Sequence, residues 1–373
     1  MSKNVYERLG VRTLINAEGT VTAVGGSLMP PEVLAAMAEA AGWFVSVPEL
    51  QEKAGARLAE MIGVPAAMVT SGAASAVAVG TAACMTVDEP SAALRLPDTT
   101  GLRNEVVLQR AHESGYEPQT ALTGARLVWV ETREELERAL GPRTAMMFFL
   151  NLADPLGSIK REEWIDVARR AGVPTFLDAA ADLPPVSRLS SYVFEGFDLV
   201  AFSGGKAMRG PQCTGLLLGR PDLIAAGRGL ISPSMGIGRA MKVGKEEIVG
   251  LLAAVERYLS LDHDTEWRTW QARCDDLVAA LSAVPGLTAR QEVSEIANHS
   301  PHVLVEWTPP HPPLTSAELA RELWEGTPRI AVLAEGDHAL RLMVWTLRGQ
   351  EHQTLAARIA EVCRNHDQRA HHT

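Results

Sequence analysis

Residues Leu199–Pro211 read LVAFSGGKAMRGP: an apolar run of strand length ends abruptly in Ser-Gly-Gly, and Lys206 follows. An apolar run bounded by glycines predicts a buried strand that ends in a loop. A lysine held against apolar backbone loses the hydration of its ammonium form, which lowers its pKa and frees the amine to attack an aldehyde. The alternative is a solvated lysine at an ordinary strand-to-loop junction, and this stretch alone does not choose between the two.

Short apolar strands and amphipathic helices alternate on both sides of this stretch. Strands are predicted at 66–70, 105–109, 126–130, 145–150, 174–178, 198–202 and 213–218. Helices are predicted at 31–43, 50–62, 132–140 and 161–171, with another that follows the turn at 71–74. Such alternation is typical of a largely parallel, doubly wound α/β sheet, which binds ligands at the carboxyl ends of its strands.

The pattern changes after a long helix predicted at 244–261. Strands are predicted beyond it at 303–307, 329–333 and 340–344, with helices at 267–284, 315–324 and 352–365. These elements indicate a smaller C-terminal α+β domain. We therefore expect an irregular N-terminal arm over residues 1–30, a large domain over 31–261 and a small domain over 262–373.

Composition narrows the class of protein. The chain has 373 residues, of which 46% are hydrophobic, and a net charge of -10, which argues against a general nucleic-acid binder. Its four cysteines show neither a CxxC pair nor metal-ligand spacing, so we expect free thiols in a reducing compartment and no metal site. No signal peptide or membrane span is evident. We expect a cytoplasmic protein without a nucleic-acid or membrane partner.

A second segment has the features of a phosphate-binding turn. Ser71, Gly72, Ala73 and Ala74 lie where a strand passes into an alanine-rich helix, and helix N-termini offer free backbone N–H groups to anions. Gly72 would allow close backbone approach, and Ser203 could add a hydroxyl contact. The alternatives are an ordinary helix cap at Ser71 and a hydroxyl of Ser203 that only caps its own turn.

Two more residues suit a pyridine ring. Asp178 ends the predicted strand at 174–178, and a carboxylate there would keep a pyridine nitrogen protonated; alternatively it caps the following loop. His112 follows the strand at 105–109 and could stack on the ring, with Tyr116 as the second choice, unless it is an exposed loop residue. With Lys206, these residues predict a site for pyridoxal 5'-phosphate.

Four motifs together resemble the fold-type-I pyridoxal phosphate enzymes. They are FSGGKAMRGPQ at 202–212, IGRAMKVGKEE at 237–247, DAAADLPP at 178–185 and INAEGT at 15–20. They look like the group that contains bacterial selenocysteine synthase and D-glucosaminate-6-phosphate ammonia-lyase, and the resemblance covers nearly the whole chain. It implies the fold-type-I transferase fold, with a large, mainly parallel sheet domain and a smaller C-terminal domain.

The resemblance also implies roles for residues. Lys206 corresponds to the lysine that forms the Schiff base with the cofactor, and Asp178 to the partner of the pyridinium nitrogen. Ser71–Ala74 corresponds to the phosphate cradle, and His112 occupies the place of the stacking residue.

Residues that bind substrate are expected in three places. Arg239 and Lys242 lie where the family has a basic segment near the active site, which could reach across a dimer interface. Glu18 stands where related chains often have a small polar residue, and a carboxylate there would change substrate preference. Arg341, with Arg329 as the second choice, is expected to bind the substrate carboxylate. The alternatives are a solvated helix start for the basic segment and surface ion pairs for the two arginines.

The expected reaction is α,β-elimination by a lyase acting on an amino acid or an amino sugar acid. A racemase or an aminotransferase would use the same residues, and a regulatory protein that binds the cofactor with little turnover stays open. The family architecture implies a homodimer or a larger homo-oligomer. The acidic composition and the lack of a basic tract make a tRNA-dependent role an unfavoured alternative.

Overall fold

The computed structural model of the protein describes residues 4–309 and 312–370. Its strands are β1 (Leu14–Ala17), β2 (Ala67–Thr70), β3 (Glu105–Gln109), β4 (Arg126–Val130), β5 (Thr144–Leu150), β6 (Thr175–Asp178), β7 (Leu199–Ser203), β8 (Gly215–Gly219), β9 (Leu287–Val293), β10 (Pro301–Trp307), β11 (Arg329–Glu335) and β12 (Ala339–Met343). Its helices are α1 (Val5–Arg8), α2 (Pro31–Ala41), α3 (Val47–Ile62), α4 (Ala73–Thr86), α5 (Glu117–Ala121), α6 (Arg133–Ala139), α7 (Arg161–Ala171), α8 (Arg188–Glu195), α9 (Pro221–Leu230), α10 (Lys245–Ser260), α11 (His263–Ser282), α12 (Ser316–Glu325) and α13 (Glu351–Ala370).

The chain divides into two compact units. The large unit comprises Leu28–Leu261 and Ile296–Asn298. The small unit comprises the described residues of Met1–Ser27, Asp262–Glu295 and His299–Thr373. Within the described part of the chain, no helix is long and apolar enough to cross a membrane.

The large unit is built on a seven-stranded sheet with the order β2-β8-β7-β6-β5-β3-β4. Neighbouring strands from β7 through β4 run parallel, and β8 runs antiparallel to both β7 and β2. The carboxyl ends of β2, β3, β5, β6 and β7 therefore lie at one edge of the sheet. The α/β fold with a mainly parallel sheet, predicted from the alternating pattern, is confirmed.

Both faces of this sheet are buried, because successive side chains of each strand point to opposite faces. Phe149 and Phe202 belong to one buried cluster, together with Trp164 of α7. Phe148 and Phe176 belong to the cluster on the other face, where α4 and α9 pack. Full burial of a large apolar side chain stabilises the fold by roughly 1.5–3 kcal/mol. Near-continuous apolar strands of this kind are typical of a parallel sheet covered by helices on both sides.

The small unit contains a five-stranded sheet with the order β1-β11-β12-β10-β9. Strand β1 pairs parallel to β11, whereas the other neighbouring strands run antiparallel. Helices α11 and α12 pack on these strands, and α13 packs against both helices. The α+β character predicted for the C-terminal region is present here. Residues 1–30 were expected to form an irregular arm, but this segment contributes β1, because Leu14–Ala17 finds its hydrogen-bond partners on β11.

Candidate active site

The register of the large sheet brings the phosphate-binding turn and the lysine strand together. Gly215 of β8 pairs with Thr70, the last residue of β2, and also with Ser203, the last residue of β7. The two strand ends are therefore separated by two strand spacings, about 10 Å. A Cβ atom on Gly215 would collide with the backbone of Gly72, so this close approach requires glycine.

Lys206 lies on a tight loop that follows β7. The backbone N–H of Gly204 donates to the carbonyl of Thr214 at 2.8 Å, and that of Arg209 donates to the carbonyl of Lys206 at 2.9 Å. A Cβ atom on Gly205 would meet the backbone of Gln212 at 2.5 Å, which explains why this turn contains two glycines before the lysine. The loop holds Lys206 at the carboxyl end of the parallel strands.

The environment of Lys206 favours the neutral amine. Burial lowers its pKa, and the negative charges of Asp178 and Asp182 partly oppose that effect. Among residues 4–309 and 312–370, the Lys206 amine has no hydrogen-bond or ion-pair partner. A mostly buried amine with a lowered pKa and no protein partner has the chemistry of a nucleophile for a carbonyl compound.

Asp178 ends β6 in the middle of the sheet, where it pairs with Leu150 of β5 and Ala201 of β7. Its side chain is buried, and its Oδ1 accepts a hydrogen bond of 2.9 Å from the backbone N–H of Ala180. Burial raises the pKa of this carboxyl group, while that hydrogen bond and the charge of Lys206 lower it. A carboxylate in such a position is suited to hold a cationic ring nitrogen.

No described side chain caps the N-terminus of α4, so its first backbone N–H groups are available to a ligand. Its N-cap residue Gly72 has φ 98°, a backbone conformation that favours glycine. The Ser75 hydroxyl, buried in the first turn, also has no hydrogen-bond partner among the described residues. Free N–H groups, a hydroxyl and the positive end of the helix dipole fit a phosphate group. The residues at this edge of the sheet therefore fit pyridoxal phosphate.

The predicted cradle residues and Ser203 lie at this edge, whereas His112 differs from expectation in its surroundings. His112 is only 1% exposed, and its ring lies edge-on to Phe149 with the centroids 4.5 Å apart. Its Nδ1 accepts from the backbone N–H of Leu150 at 3.3 Å, and its Nε2 lies 3.3 Å from Nε2 of Gln109. Burial lowers its pKa to about 4, so the ring is neutral. Stacking on a cofactor would require this enclosed ring to be uncovered, and that role stays a prediction; Tyr116, the second choice, is exposed.

Sequence reasoning missed three side chains that form a buried polar cluster beside this site. Asp182 accepts from Asn151 Nδ2 at 2.5 Å and from the Tyr192 hydroxyl at 3.0 Å. Asn151 directly follows β5, so the rule that identified Asp178, a polar residue at the carboxyl end of a strand, could have found it. Asp182 and Tyr192 carried no comparable signal, because they lie in a loop and on a helix.

The basic segment lies in the same unit. Arg239 is exposed and donates from its guanidinium to the Ser232 hydroxyl at 3.3 Å, and Lys242 is also exposed. Lys245 instead donates to the carbonyl of Ala40 at 2.7 Å, next to the C-terminal end of α2, where a cation is favourable. The substrate contacts expected of Arg239 and Lys242 stay predictions.

Glu18 and Arg341 belong to the small unit. Glu18 follows β1 in a turn held by Asn16, whose Oδ1 accepts from the Glu18 backbone N–H at 3.0 Å, and burial raises the pKa of Glu18. Arg341 makes two hydrogen bonds of 2.8 and 2.7 Å to the carboxylate of Glu335. Because Glu335 occupies one side of the Arg341 guanidinium, a substrate carboxylate would have to bind the same guanidinium beside Glu335 or displace Glu335 from it. Arg329 stacks on Trp324, with 4.7 Å from its guanidinium carbon to the ring centroid. Their substrate roles stay predictions.

No family model matches this chain, but several known proteins are similar to it. D-glucosaminate-6-phosphate ammonia lyase of Salmonella typhimurium is 35% identical over 306 residues, which cover 79% of this chain and 80% of the relative. The 5'-C-glycyluridine monooxygenase-decarboxylase of a Streptomyces species is 34% identical, covering 87% of this chain and 83% of the relative. The L-seryl-tRNA(Sec) selenium transferase of Moorella thermoacetica is 29% identical, and the match covers 70% of this chain but only 59% of that protein.

The fold agrees with these similarities. A solved structure of D-glucosaminate-6-phosphate ammonia-lyase superimposes with a TM-score of 0.85 at 30% identity, covering 98% of this chain and all of that one. Sequence identity and fold similarity thus extend over the sheet edge that carries Lys206 and Asp178. The chain belongs to the fold-type-I pyridoxal phosphate enzymes, in the group of D-glucosaminate-6-phosphate ammonia-lyase and the selenocysteine synthases.

Proposed function

We propose that this enzyme releases ammonia from an amino sugar acid by α,β-elimination of water and hydrolysis of the resulting enamine, with pyridoxal phosphate bound through Lys206. The observation that carries the proposal is the meeting of three groups at one sheet edge. They are the amine of Lys206 and the N-terminus of α4, for which the described residues supply neither a partner nor a side-chain cap, and the buried carboxylate of Asp178. The ammonia-lyase similarity, at 35% identity and a TM-score of 0.85, supports the substrate class.

The cofactor would be held by residues of the large unit. The first turn of α4, with Gly72 and Ser75, would bind the phosphate, and Ser203 at the end of β7 could add a hydroxyl. Asp178 would face the ring nitrogen. When bound, pyridoxal phosphate supplies a protonated ring that withdraws electrons from the α-carbon of the substrate.

Lys206 and Asp178 would each control a different proton of the reaction. With cofactor and substrate bound, the neutral Lys206 amine would accept the proton from the substrate α-carbon at Nζ. The Asp178 carboxylate would keep the ring nitrogen protonated. The β-hydroxyl leaves as water after taking up a proton, which Lys206 can return. Water then hydrolyses the released enamine, so a 2-amino-3-hydroxy acid yields ammonia and a 3-deoxy-2-keto acid.

Reductive trapping tests the assignment of Lys206. The protein is incubated with pyridoxal phosphate and borohydride, and the modified peptide is identified by mass spectrometry. We expect modification at Lys206, release of ammonia and a keto acid from D-glucosaminate-6-phosphate, and loss of both in Lys206→Ala. Lys53→Ala is the matched control, because Lys53 is an exposed residue of α3. A Lys206→Ala variant that is still modified and active would exclude this function.

A second candidate reaction is oxidative decarboxylation. It is favoured by the glycyluridine enzyme, which is 34% identical and matches 87% of this chain. The two reactions differ in their requirement for oxygen, since elimination proceeds without it. We expect ammonia release from the amino sugar acid to continue under argon. Carbon dioxide release that stops under argon would favour the second candidate, and a need for a keto-acid acceptor would indicate an aminotransferase.

We further propose that the protein is a cytoplasmic homodimer. The segment Trp43–Val45 after α2 exposes three apolar side chains, with Trp43 70% exposed and Phe44 fully exposed. Contiguous apolar surface of this kind marks an interaction site, and a second copy of the chain would bury it. The four cysteines are free, which suits a reducing compartment. Arg239 and Lys242 would then be available to the partner's active site.

Light scattering after size-exclusion chromatography tests this assembly. We expect the mass of two chains or more for the wild type and the mass of a single chain for Phe44→Asp, because a carboxylate would be buried in the interface. Phe194→Asp is the matched control: Phe194 is a phenylalanine of α8 that is 68% exposed. A wild type that elutes with the mass of one chain would contradict the proposed role of Arg239 and Lys242 across an interface.

A further inference from the structure

Asp182, Asn151 and Tyr192 form a closed triangle of hydrogen bonds. Asn151 Nδ2 and the Tyr192 hydroxyl each contact Asp182 Oδ2, and they lie 3.0 Å from one another. Each is buried, and Asp182 is only 1% exposed. Burying a carboxyl group is costly unless its polar partners are in place, so this cluster is a specific arrangement.

The loop that carries Asp182 is tied to the strand that leads to the lysine. The backbone N–H of Ala179 donates to the carbonyl of Ala201 at 3.0 Å, and that of Ser203 donates to the carbonyl of Ala180 at 3.3 Å. The N–H of Asp182 closes the turn by donating to the carbonyl of Ala179 at 3.1 Å. Asp182 therefore occupies a fixed position next to the Asp178 and Lys206 site.

We propose that Asp182 is a positioning residue whose charge, set by Asn151 and Tyr192, governs how readily Lys206 gives up its proton. The proposal deepens the proposed function, since it rests on the assignment of Lys206. An ionised Asp182 favours the ammonium form of Lys206, whereas a protonated Asp182 removes that support. The charge of the buried Asp182 carboxyl group would thus determine what fraction of Lys206 is present as the free amine.

Several neighbouring groups act on the pKa of Asp182. Burial and the negative charge of Asp178 raise its pKa to about 6, and the hydrogen bonds from Asn151 and Tyr192 together with the positive charge of Arg188 lower it. Arg188 donates to the carbonyl of Asp182 at 2.8 Å. Arg161 lies with its guanidinium carbon 5.3 Å from the ring centroid of Tyr192. Asp182 can therefore change its charge near neutral pH, unlike an ordinary aspartate.

The side-chain amide of Asn151 can form a hydrogen bond with Asp182 in either of its charge states. Its Nδ2 donates to the carboxylate, while its Oδ1 is buried without a hydrogen-bond partner in the described parts of the chain. A side-chain amide offers two donors on one atom and an acceptor on the other. After rotation of the amide, Oδ1 could accept the proton of a neutral Asp182, so the cluster need not break when Asp182 is protonated.

The test measures the titration of Lys206 in the full chain freed of cofactor. Competitive labelling with acetic anhydride, followed by mass spectrometry of the Lys206 peptide, gives the pH midpoint of its amine. In Asp182→Asn we expect a midpoint at least half a unit lower, which is about a threefold larger fraction of free amine at a fixed pH below it. Asp198→Asn is the matched control, because Asp198 is a hydrogen-bonded carboxylate near the start of β7.

A second variant keeps the proposal testable if Asp182→Asn fails to fold. Tyr192→Phe removes one donor to Asp182, so we expect a smaller shift of the Lys206 midpoint in the same direction. Unchanged Lys206 midpoints in the folded variants would overturn the proposal, because a purely structural cluster would alter stability alone. The proposed function fails separately: a shifted midpoint without pyridoxal phosphate trapped at Lys206 would retain Asp182 as a positioning residue and exclude the cofactor assignment.

Discussion

At the scale of single residues, burial acts in opposite directions on the two main site groups. It lowers the pKa of Lys206 and raises that of Asp178, so desolvation alone drives both toward their neutral forms. Their mutual attraction favours the charged forms. Burial and mutual attraction therefore oppose each other at both groups, and a cationic ring brought beside Asp178 would stabilise its carboxylate while leaving Lys206 free to react.

Replacing Asp178 with asparagine removes the charge and retains the shape. We expect the Kd for pyridoxal phosphate to rise about 10- to 100-fold, because a hydrogen bond to a charged group contributes about 1.5–3 kcal/mol. Equilibrium dialysis of the variant against the cofactor measures this change. Asp198→Asn, a substitution at the amino-terminal end of the sheet, should leave the Kd near the wild-type value. Equal affinities for wild type and Asp178→Asn would remove Asp178 from the cofactor site.

The positions of these residues could be predicted from the sequence to different degrees. Lys206 and Asp178 each follow an apolar strand, and the carboxyl ends of parallel strands meet at one sheet edge, so their proximity follows from the pattern. The burial of His112 could not be foreseen, because it depends on Phe149 and Gly157, which lie outside its own segment.

At the scale of elements, a substitution in the first turn of α4 tests whether this turn binds the phosphate. Gly72→Ala forces a residue with a Cβ atom into a φ of 98°, which costs about 1–3 kcal/mol of stability. We expect it also to weaken binding of pyridoxal phosphate more than binding of pyridoxal, which lacks the phosphate. Fluorescence titration with each compound compares the two affinities.

Gly63→Ala is the matched control for backbone strain. Gly63 has φ 78° at the C-terminal end of α3, and a Cβ atom there would have open space, as at Gly72. The control should lower the melting temperature without changing the ratio of the two affinities. If Gly72→Ala leaves that ratio unchanged as well, the phosphate is bound elsewhere.

The central strands of the large sheet, such as β3, β5 and β6, were predicted well because their apolar runs are buried on both faces. Helices α8 and α9 were not predicted. Helix α9 begins at Pro221 and has Asp222 in its first turn, and this pair of residues is a recognisable signal for the start of a helix. Helix α8 buries only Leu189 and Tyr192, so its apolar pattern is weak.

At the scale of the whole molecule, buried carboxyl groups make stability depend on pH. Asp182 binds its proton near pH 6 in the folded chain, compared with 3.8 for an ordinary aspartate. Between these values the folded state binds more protons than the unfolded state, so this contribution to stability falls as the pH rises from about 4 to about 6. The raised pKa of Asp178 acts in the same direction.

Comparing Asp182→Asn with the wild type isolates that contribution. We expect the free energy of unfolding of the variant to rise relative to that of the wild type between pH 4 and pH 7. For a pKa shift of this size, the rise is roughly 3 kcal/mol. Parallel urea titrations at the two pH values, followed by fluorescence, measure it. A difference between the two proteins that stays constant with pH would mean that Asp182 is not protonated in this range.

Strand β1 has a consequence for the order in which the molecule is made. Its parallel neighbour β11 lies more than 300 residues later in the chain, so a ribosome must synthesise the chain through Val332 before all of Leu14–Ala17 can pair. The seven-stranded sheet draws on strands that emerge earlier, and it can assemble while translation continues. Contacts so distant in sequence form slowly. We therefore expect a nascent-chain stage in which the seven-stranded sheet is folded while the five-stranded sheet still lacks β11 and β12.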